Sequence, residues 1–448
     1  MLKHKRLIFG ATAAAMTAIA LLFGGVFHGS SSSATNPAAA ALPARAAALS
    51  AQFATGFSGQ TAHTTQGIVA GLQASLRNNP DNLGKLDALG LAYQQRARET
   101  GDPTYYTKSQ EVLDHALSLV PNDLTATSGL GSLALSRHKF AEALVFGRRA
   151  HALSPTTTRN YGVIGDALIE LGRYHAAFVT YDRMATVRPS LSSYSRVAHA
   201  LDLLGRTKLA ISDMKLAVDA SLGEGEAEAW SHVQLGKIYW EIGRVAATGA
   251  EDRAALRAYP GYPLALDALA RVQAAEGHMQ AAIAAETEAV NRIPLPQYVS
   301  FLGDLYHATG HEAAARKQYG LIAVIDKLLA ANGVNSDLEI SVFDSDHHIT
   351  PTATVALAGK AFHERPSIDG NDALAWALTR DGQCAAALPH ANRALRLGTK
   401  DALKFFHRGM TERCLGTRAA ARRDFAHALA LNPHFSVLWS PVAERLVR

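Results

Sequence analysis

Asp344, Asp346, His347 and His348 fall within five residues of one another. Two carboxylates and two imidazoles so close together are donor types that a divalent ion accepts. On a helix, Asp344 would share a face with His347 or His348. The same string also suits a helix end, where Asp and His cap and turn the backbone. With 19 histidines in the chain, one cluster does not decide between the two readings. Cys384 and Cys414 are the only cysteines, too few for a disulfide framework or a thiolate zinc site. Glu224 and Glu226 stand in a glycine-rich stretch and read as solvated. There is no Gly-x-Ser-x-Gly, phosphate loop, His-Glu-x-x-His or dinucleotide fingerprint, so no catalytic residue is assigned and no cofactor is expected.

The chain that must position these groups has 448 residues, 48% of them hydrophobic and 7% aromatic. That fraction is normal for a folded protein, and the length allows two or three ordinary domains or one long array. The formal net charge is +5. Lys3, Lys5 and Arg6 supply three of those charges, so the body is nearly neutral. Dedicated nucleic-acid binding, which needs many phosphate contacts, is not expected.

Residues 1–29 read as a signal peptide or an N-terminal membrane anchor. The basic start precedes Leu7–Phe27, an uncharged run rich in Ala, Gly and Thr. A signal-peptide core has about 7–15 residues and a spanning helix about 20, so the run sits on the spanning side. Small residues follow at Ser30–Ala34 and Ala38–Ala41, where a peptidase could cut. Basic residues ahead of the run orient the rest of the chain outward. The expected location is periplasmic or extracellular, cleaved or tethered. Residues 30–66 read as a flexible Ser/Ala/Pro-rich linker, with a short Ala-rich helix around Ala44–Phe53.

Prolines set a period beyond that point. Pro121, Pro155 and Pro189 are spaced by 34 residues, and so are Pro260 and Pro294. In step with them run Leu130-Gly131, Ile164-Gly165, Leu235-Gly236 and Leu302-Gly303, then Tyr161, Tyr181, Tyr239 and Tyr306, then Ala143, Ala150, Ala177, Ala421 and Ala428. A turn signal recurs at Gly172, Gly205, Gly243, Gly310 and Gly416. Each has a physical role. Glycine in the first helix lets two backbones approach, an aromatic fills the hole between them, and the turn glycine ends the first helix in a left-handed conformation. Proline ends the second helix.

This pattern resembles the tetratricopeptide-repeat family, whose period is 34 residues. The resemblance covers residues 67–435 and implies an all-α, right-handed α-solenoid superhelix of about ten helix pairs. The stretches Asp372–Leu378, Leu395–Leu403 and Phe406–Met410 resemble a block found in exported bacterial members of unknown function. Residues before Pro80 read as a capping half repeat. Residues 436–448 read as a C-terminal capping helix, with Leu438, Trp439, Val442 and Leu446 on one face. Two insertions, Glu99–Tyr106 and Ser221–Glu226, are expected as loops, and the unit after Asn332 is degenerate.

In such proteins ligands usually lie in the concave groove lined by the first helix of each unit. Its solvent-facing positions here would be Arg159, Asp166, His199, Asp202, Lys237, Trp240, Asp267, Arg271, Asp304 and His307. Both charge signs and an aromatic suit a protein or peptide partner. The family's Lys and Asn clamp for a terminal carboxylate is absent: Ser128, Gly162, Ser195, Ser132, Asp166 and His199 stand at its positions. In a stack of helix pairs, Cys384 at the start of one second helix and Cys414 near the end of the next first helix come together. An oxidising compartment would permit a disulfide; two buried small side chains are the other reading. The implied function is an exported protein-binding scaffold. The alternatives are a metal-linked accessory protein using the Asp344–His348 string, or a non-catalytic subunit that positions a separate enzyme.

Overall fold

A computed structural model describes residues 64–448, which form 22 helices. A single helix, α1 (Thr65–Asn78), opens the array. Five pairs follow: α2 (Leu83–Thr100) with α3 (Thr104–Leu119), α4 (Leu124–Ser136) with α5 (Phe140–Leu153), α6 (Thr158–Glu170) with α7 (Tyr174–Val187), α8 (Leu191–Leu203) with α9 (Thr207–Asp219), and α10 (Glu226–Glu241) with α11 (Val245–Ala258). The next three are α12 (Pro263–Ala275) with α13 (Met279–Arg292), α14 (Pro296–Ala308) with α15 (Glu312–Ala331), and α16 (Asp337–Asp346) with α17 (Pro351–Glu364). The last are α18 (Ile368–Arg380) with α19 (Cys384–Ala394), and α20 (Ala402–Cys414) with α21 (Arg418–Leu431), closed by α22 (Ser440–Val447). Each helix packs on the next, apart from α15 and α16, whose backbones do not approach closely, and first helices of most neighbouring units also touch. The result is an all-α solenoid with its first helices side by side on one face.

Local chemistry explains the boundaries. Asn82, Asp123 and Asp401 each accept a backbone N–H of the helix they precede, which satisfies an orphan donor of the first turn. The turn glycines predicted from sequence all take positive φ, from 59° at Gly205 to 80° at Gly416. Gly165, Gly303 and Gly409 lie flat under Tyr181, Tyr319 and Phe425, 16 residues on, and a Cβ at any of them would meet the ring. Alanines fill the narrow interhelix gaps; Ala143, Ala177, Ala210 and Ala282 are fully buried.

The solenoid closes on itself. Five successive pair turns, between the two helices of a unit, rest on five successive links between later units. Gly101 meets Ile293, Asn335 N–H donates to the Arg137 carbonyl at 3.0 Å, and Gly172, Gly205 and Gly243 meet the carbonyls of Pro366, Gly398 and Leu431. Side chains stitch the same seam. Arg365 bonds Glu170, the Ile368 N–H donates to the Tyr174 hydroxyl at 2.8 Å, and Asn432 Nδ2 donates to the Trp240 carbonyl at 2.8 Å. His138 occupies the turn position that glycine holds elsewhere, at φ 57°. A left-handed non-glycine residue is costly, and its ring Nδ1, 2.7 Å from the Asn335 carbonyl across the seam, holds it there.

Three expectations change. The Glu99–Tyr106 insertion is not a loop: it extends α2 to Thr100 and begins α3 at Thr104, because Gly101 (φ 68°) caps one helix and Pro103 starts the other. Glu226 is not solvated. It is the first residue of α10 and accepts from Gln95 Nε2 at 3.1 Å, across 131 residues of chain. The array begins at Thr65, two residues before the expected boundary, with Thr64 as N-cap. The capping helix is present as α22, and Trp439, Val442 and Leu446 pack on the Phe406–Phe425 cluster. Residues 1–29, most of 30–66 and the expected Ala44–Phe53 helix lie outside the described residues. Among the described residues no helix is long and apolar enough to cross a membrane.

Candidate functional site

Seam closure changes the meaning of the first-helix face. Positions expected to face solvent line an interior. Asp166 and Asp202 are only 6% and 8% exposed, and most of the others are half-buried. Buried charges need partners, and most have them. Asp166 receives Arg196 through Nε at 2.8 Å and Nη2 at 2.7 Å, plus the Tyr181 hydroxyl at 2.9 Å. Arg159 Nη2 donates to Ser132 Oγ at 3.0 Å. Burial and the nearby Arg98 charge push the Arg159 guanidinium down to about 10. Arg271 grips Asp267 at 2.8 Å and lies 4.0 Å over the Phe301 ring. Asp304 accepts the Tyr319 hydroxyl at 2.9 Å. His307, on the rim, is exposed and pairs with Glu312 at 2.8 Å. Trp240 is half-buried, its carbonyl engaged at the seam.

A recess remains between α8 and α10. It is small and half open to solvent, with a cavity volume of about 20 Å³, room for about one water molecule. Ser195, His199, Asp202 and Gln234 supply polar groups to it, and Met214 and Ile238 supply apolar wall. Lys237 reaches its edge and lies 3.6 Å from Glu241. Burial, then the charges of Lys237 and Arg196, push the His199 imidazole down to about 3, so the ring is neutral. Burial raises both Asp202 and Glu241, and the Asp202 charge raises Glu241 further. Glu241 is pushed well above the usual carboxylate range by burial and then by Asp202.

The Asp344–His348 string does not converge on one point. Asp346 accepts two indole N–H groups, from Trp376 at 2.9 Å and Trp439 at 2.8 Å. His347 uses both ring nitrogens, Nδ1 at 2.8 Å from the Phe343 carbonyl and Nε2 at 2.9 Å from Asp304. His348 is exposed at the turn after α16, with φ 54°. Burial pushes Asp344 up to about 6. Among the described residues, no three of His, Cys, Asp and Glu gather in a metal-holding arrangement. Cys384, first in α19, is bonded to Cys414, last in α20, with Cα atoms 6.1 Å apart.

Some groups escaped the sequence reading. Glu241 lies one turn beyond Lys237 on the same face, a spacing that marks neighbours. Tyr181 and Tyr319 stand 15 residues after Asp166 and Asp304, so their hydroxyl bonds repeat with the array. Asp252 and Glu286 take the same aromatic position, 16 residues after Gly236 and Ala270. Both are fully buried, with no hydrogen-bond partner on either carboxyl oxygen. Arg196 had no such signal, since its partner Asp166 lies in the preceding unit.

Paired helices at a 34-residue spacing, ring-over-glycine packing and left-handed turn glycines define the chain as a solenoid of tetratricopeptide architecture. No protein-family model matches the chain, and no curated protein matches it. Solved structures do. The human IFIT1 dimer with PPP-AAAA has a TM-score of 0.45 at 13% identity, over 86% of this chain and 93% of that one. A tetratricopeptide repeat protein from Parabacteroides merdae gives 0.40 at 15%, over 50% and 85%. PilF from Pseudomonas aeruginosa gives 0.37 at 16%, over 45% and 91%. All three lie below a TM-score of 0.5, and what they bind says nothing about the ligand of this chain.

Proposed function

We propose that this chain is an exported scaffold that takes a protein or peptide segment on its inner, first-helix surface. The observation that carries this reading is the recess between α8 and α10, where polar groups from two units point toward one opening. Preformed helices with seam contacts on both sides cost little ordering when a partner binds. Export is supported by the order of basic residues, apolar run and small residues at the N-terminus. It is also supported by the Cys384–Cys414 bond, whose Cys414 end is exposed, since such bonds persist in oxidising compartments. Leu7–Phe27 is removed or kept as an anchor, and mass spectrometry of the N-terminal peptide distinguishes the two.

The test is capture of partners by the full-length protein from its own cells, beside the Lys237→Glu/Arg271→Glu variant. A groove partner is lost, or its salt dependence changes, in the variant. Capture that survives unchanged at every salt concentration removes the inner surface from consideration.

A further inference from the structure

The seam uses only half of the contact surface that the repeat provides. Turns of the first five units, α2–α3 to α10–α11, rest on links of the last five. The later units carry turns of the same form. Gly310, Gly382 and Gly416 take positive φ, from 78° to 80°, and His348 holds the same left-handed position at φ 54°, as His138 does at 57°. In the seam, Gly172, Gly205 and Gly243 are half-buried and His138 is buried. Gly310, His348, Gly382 and Gly416 are all exposed. Among the described residues beyond their chain neighbours, nothing lies within 4 Å of where a Cβ would stand on any of these three glycines. His138 has the Asn335 carbonyl to hold its costly conformation; among the described residues the His348 ring has no hydrogen bond.

The opposite rim is bare in a complementary way. Links after the first five units each carry a large apolar residue at the surface: Val120, Leu153, Val187, Leu222 and Tyr259, 40–61% exposed. Val120 and Tyr259 directly precede a proline, as does Ile293, which packs on Gly101 in the seam. Leu153 and Val187 stand two residues before a proline, as does Leu431, whose carbonyl meets Gly243. The exposed links thus present the positions that turns already cover elsewhere in this chain. An apolar row of this length marks a contact surface, and the repeat makes one turn edge interchangeable with another.

We propose that the exposed turn edge of one copy docks on the exposed link edge of a second copy, continuing the seam from chain to chain. The two edges differ and lie on opposite rims of the coil, so the contact is head to tail. Each addition leaves one edge of either kind free, which gives open chains rather than a closed dimer. The contact lies on the rims and is separate from the inner surface, so it stands or falls independently of what that surface binds.

The experiment is sedimentation velocity of the full-length protein over a range of concentrations. Two variants accompany it: Val120→Arg/Val187→Arg on the link edge, and Ile349→Arg/Leu415→Arg on the turn edge. All four residues are exposed, and each variant is checked for a cooperative melt at the wild-type temperature. The expected result is a weight-average sedimentation coefficient that climbs with concentration in wild type and loses that climb in either variant alone. An equimolar mixture of the variants joins the intact turn edge of one to the intact link edge of the other. It should regain association and stop at two chains. A wild type that stays monomeric at every concentration overturns the proposal, including one whose link edge is covered by residues 1–63. Association that both variants keep, as contact through residues 1–63 would give, also overturns it. So does loss in one variant only, the mark of a symmetric contact between like edges, or a mixture that stays monomeric.

Discussion

Arg365 Nε lies 2.5 Å from Glu170 Oε2 although 195 residues separate them in the chain. The same guanidinium reaches Glu339 through Nη1 at 2.8 Å. One buried cation thus ties α6 and α16 to the link before α18, and it closes the superhelix at its middle. Arg365→Ala would leave two buried carboxylates without their cation, which typically costs about 3–5 kcal/mol. Chemical denaturation should show that loss, and small-angle scattering should show a larger radius as the seam opens. A variant with unchanged stability and unchanged radius would mean the seam contributes nothing to the shape in solution.

Ring-over-glycine packing repeats through the array, so one unit can report on it. In Gly165→Ala the new methyl meets the Tyr181 ring, and overpacking of this kind costs about 1–3 kcal/mol. Tyr181→Phe keeps the ring and loses only the hydroxyl bond to Asp166, a loss of about 1 kcal/mol. Thermal melts of the two variants should rank in that order, and the reverse ranking would show that the hydroxyl, not the close approach, organises the unit.

Asp252 and Glu286 give the fold a pH dependence. Burial, then the Asp267 charge, raises Glu286 from 4.5 to about 10, and Asp252 moves the same way for the same leading reasons. The folded protein holds both acids neutral, while the unfolded chain ionises them near pH 4–5. Between those limits the unfolded state binds fewer protons, so the contribution to stability falls as pH rises from about 5 toward 10. Glu286→Gln should flatten that fall and gain ~1 kcal/mol or more at pH 8. A melting temperature with the same pH slope in wild type and variant would contradict the assignment.

Reduction should weaken the C-terminal units. The Cys384–Cys414 bond closes a loop with a sequence separation of 30, and bonds of that span contribute about 2–4 kcal/mol. Dithiothreitol, or Cys384→Ser with Cys414→Ser, should lower the melting temperature by several degrees. Equal melts with and without reductant would show that the bond is structurally idle.

What could be read from sequence was whatever repeats locally. Proline spacing, the glycine under each ring and the turn glycines depend on contacts within one unit or between neighbours, so they leave a 34-residue signature. The seam leaves none. Whether Gly172 meets Pro366 depends on the small rotations between successive units, summed over six of them, and no single residue encodes that sum. The burial of Asp166 and Asp202 follows from closure, so the groove positions were placed on the correct helices with the wrong exposure. The Asp344–His348 string failed to gather for a related reason. Asp346 and His347 sit at the end of a short α16 and are taken by Trp376, Trp439 and Asp304, from the two units on either side and the C-terminal cap.

Use of the inner surface is tested most directly by site-specific photocrosslinking. A diazirine analogue of lysine is placed at Lys237, on the inner recess, or at Lys215, exposed on α9. The full-length protein is then irradiated in its own cells. A partner band that forms from position 237 and not from position 215 is the expected result. A partner that crosslinks from position 215 while position 237 stays silent would place recognition on the outer face and contradict the inner-surface reading.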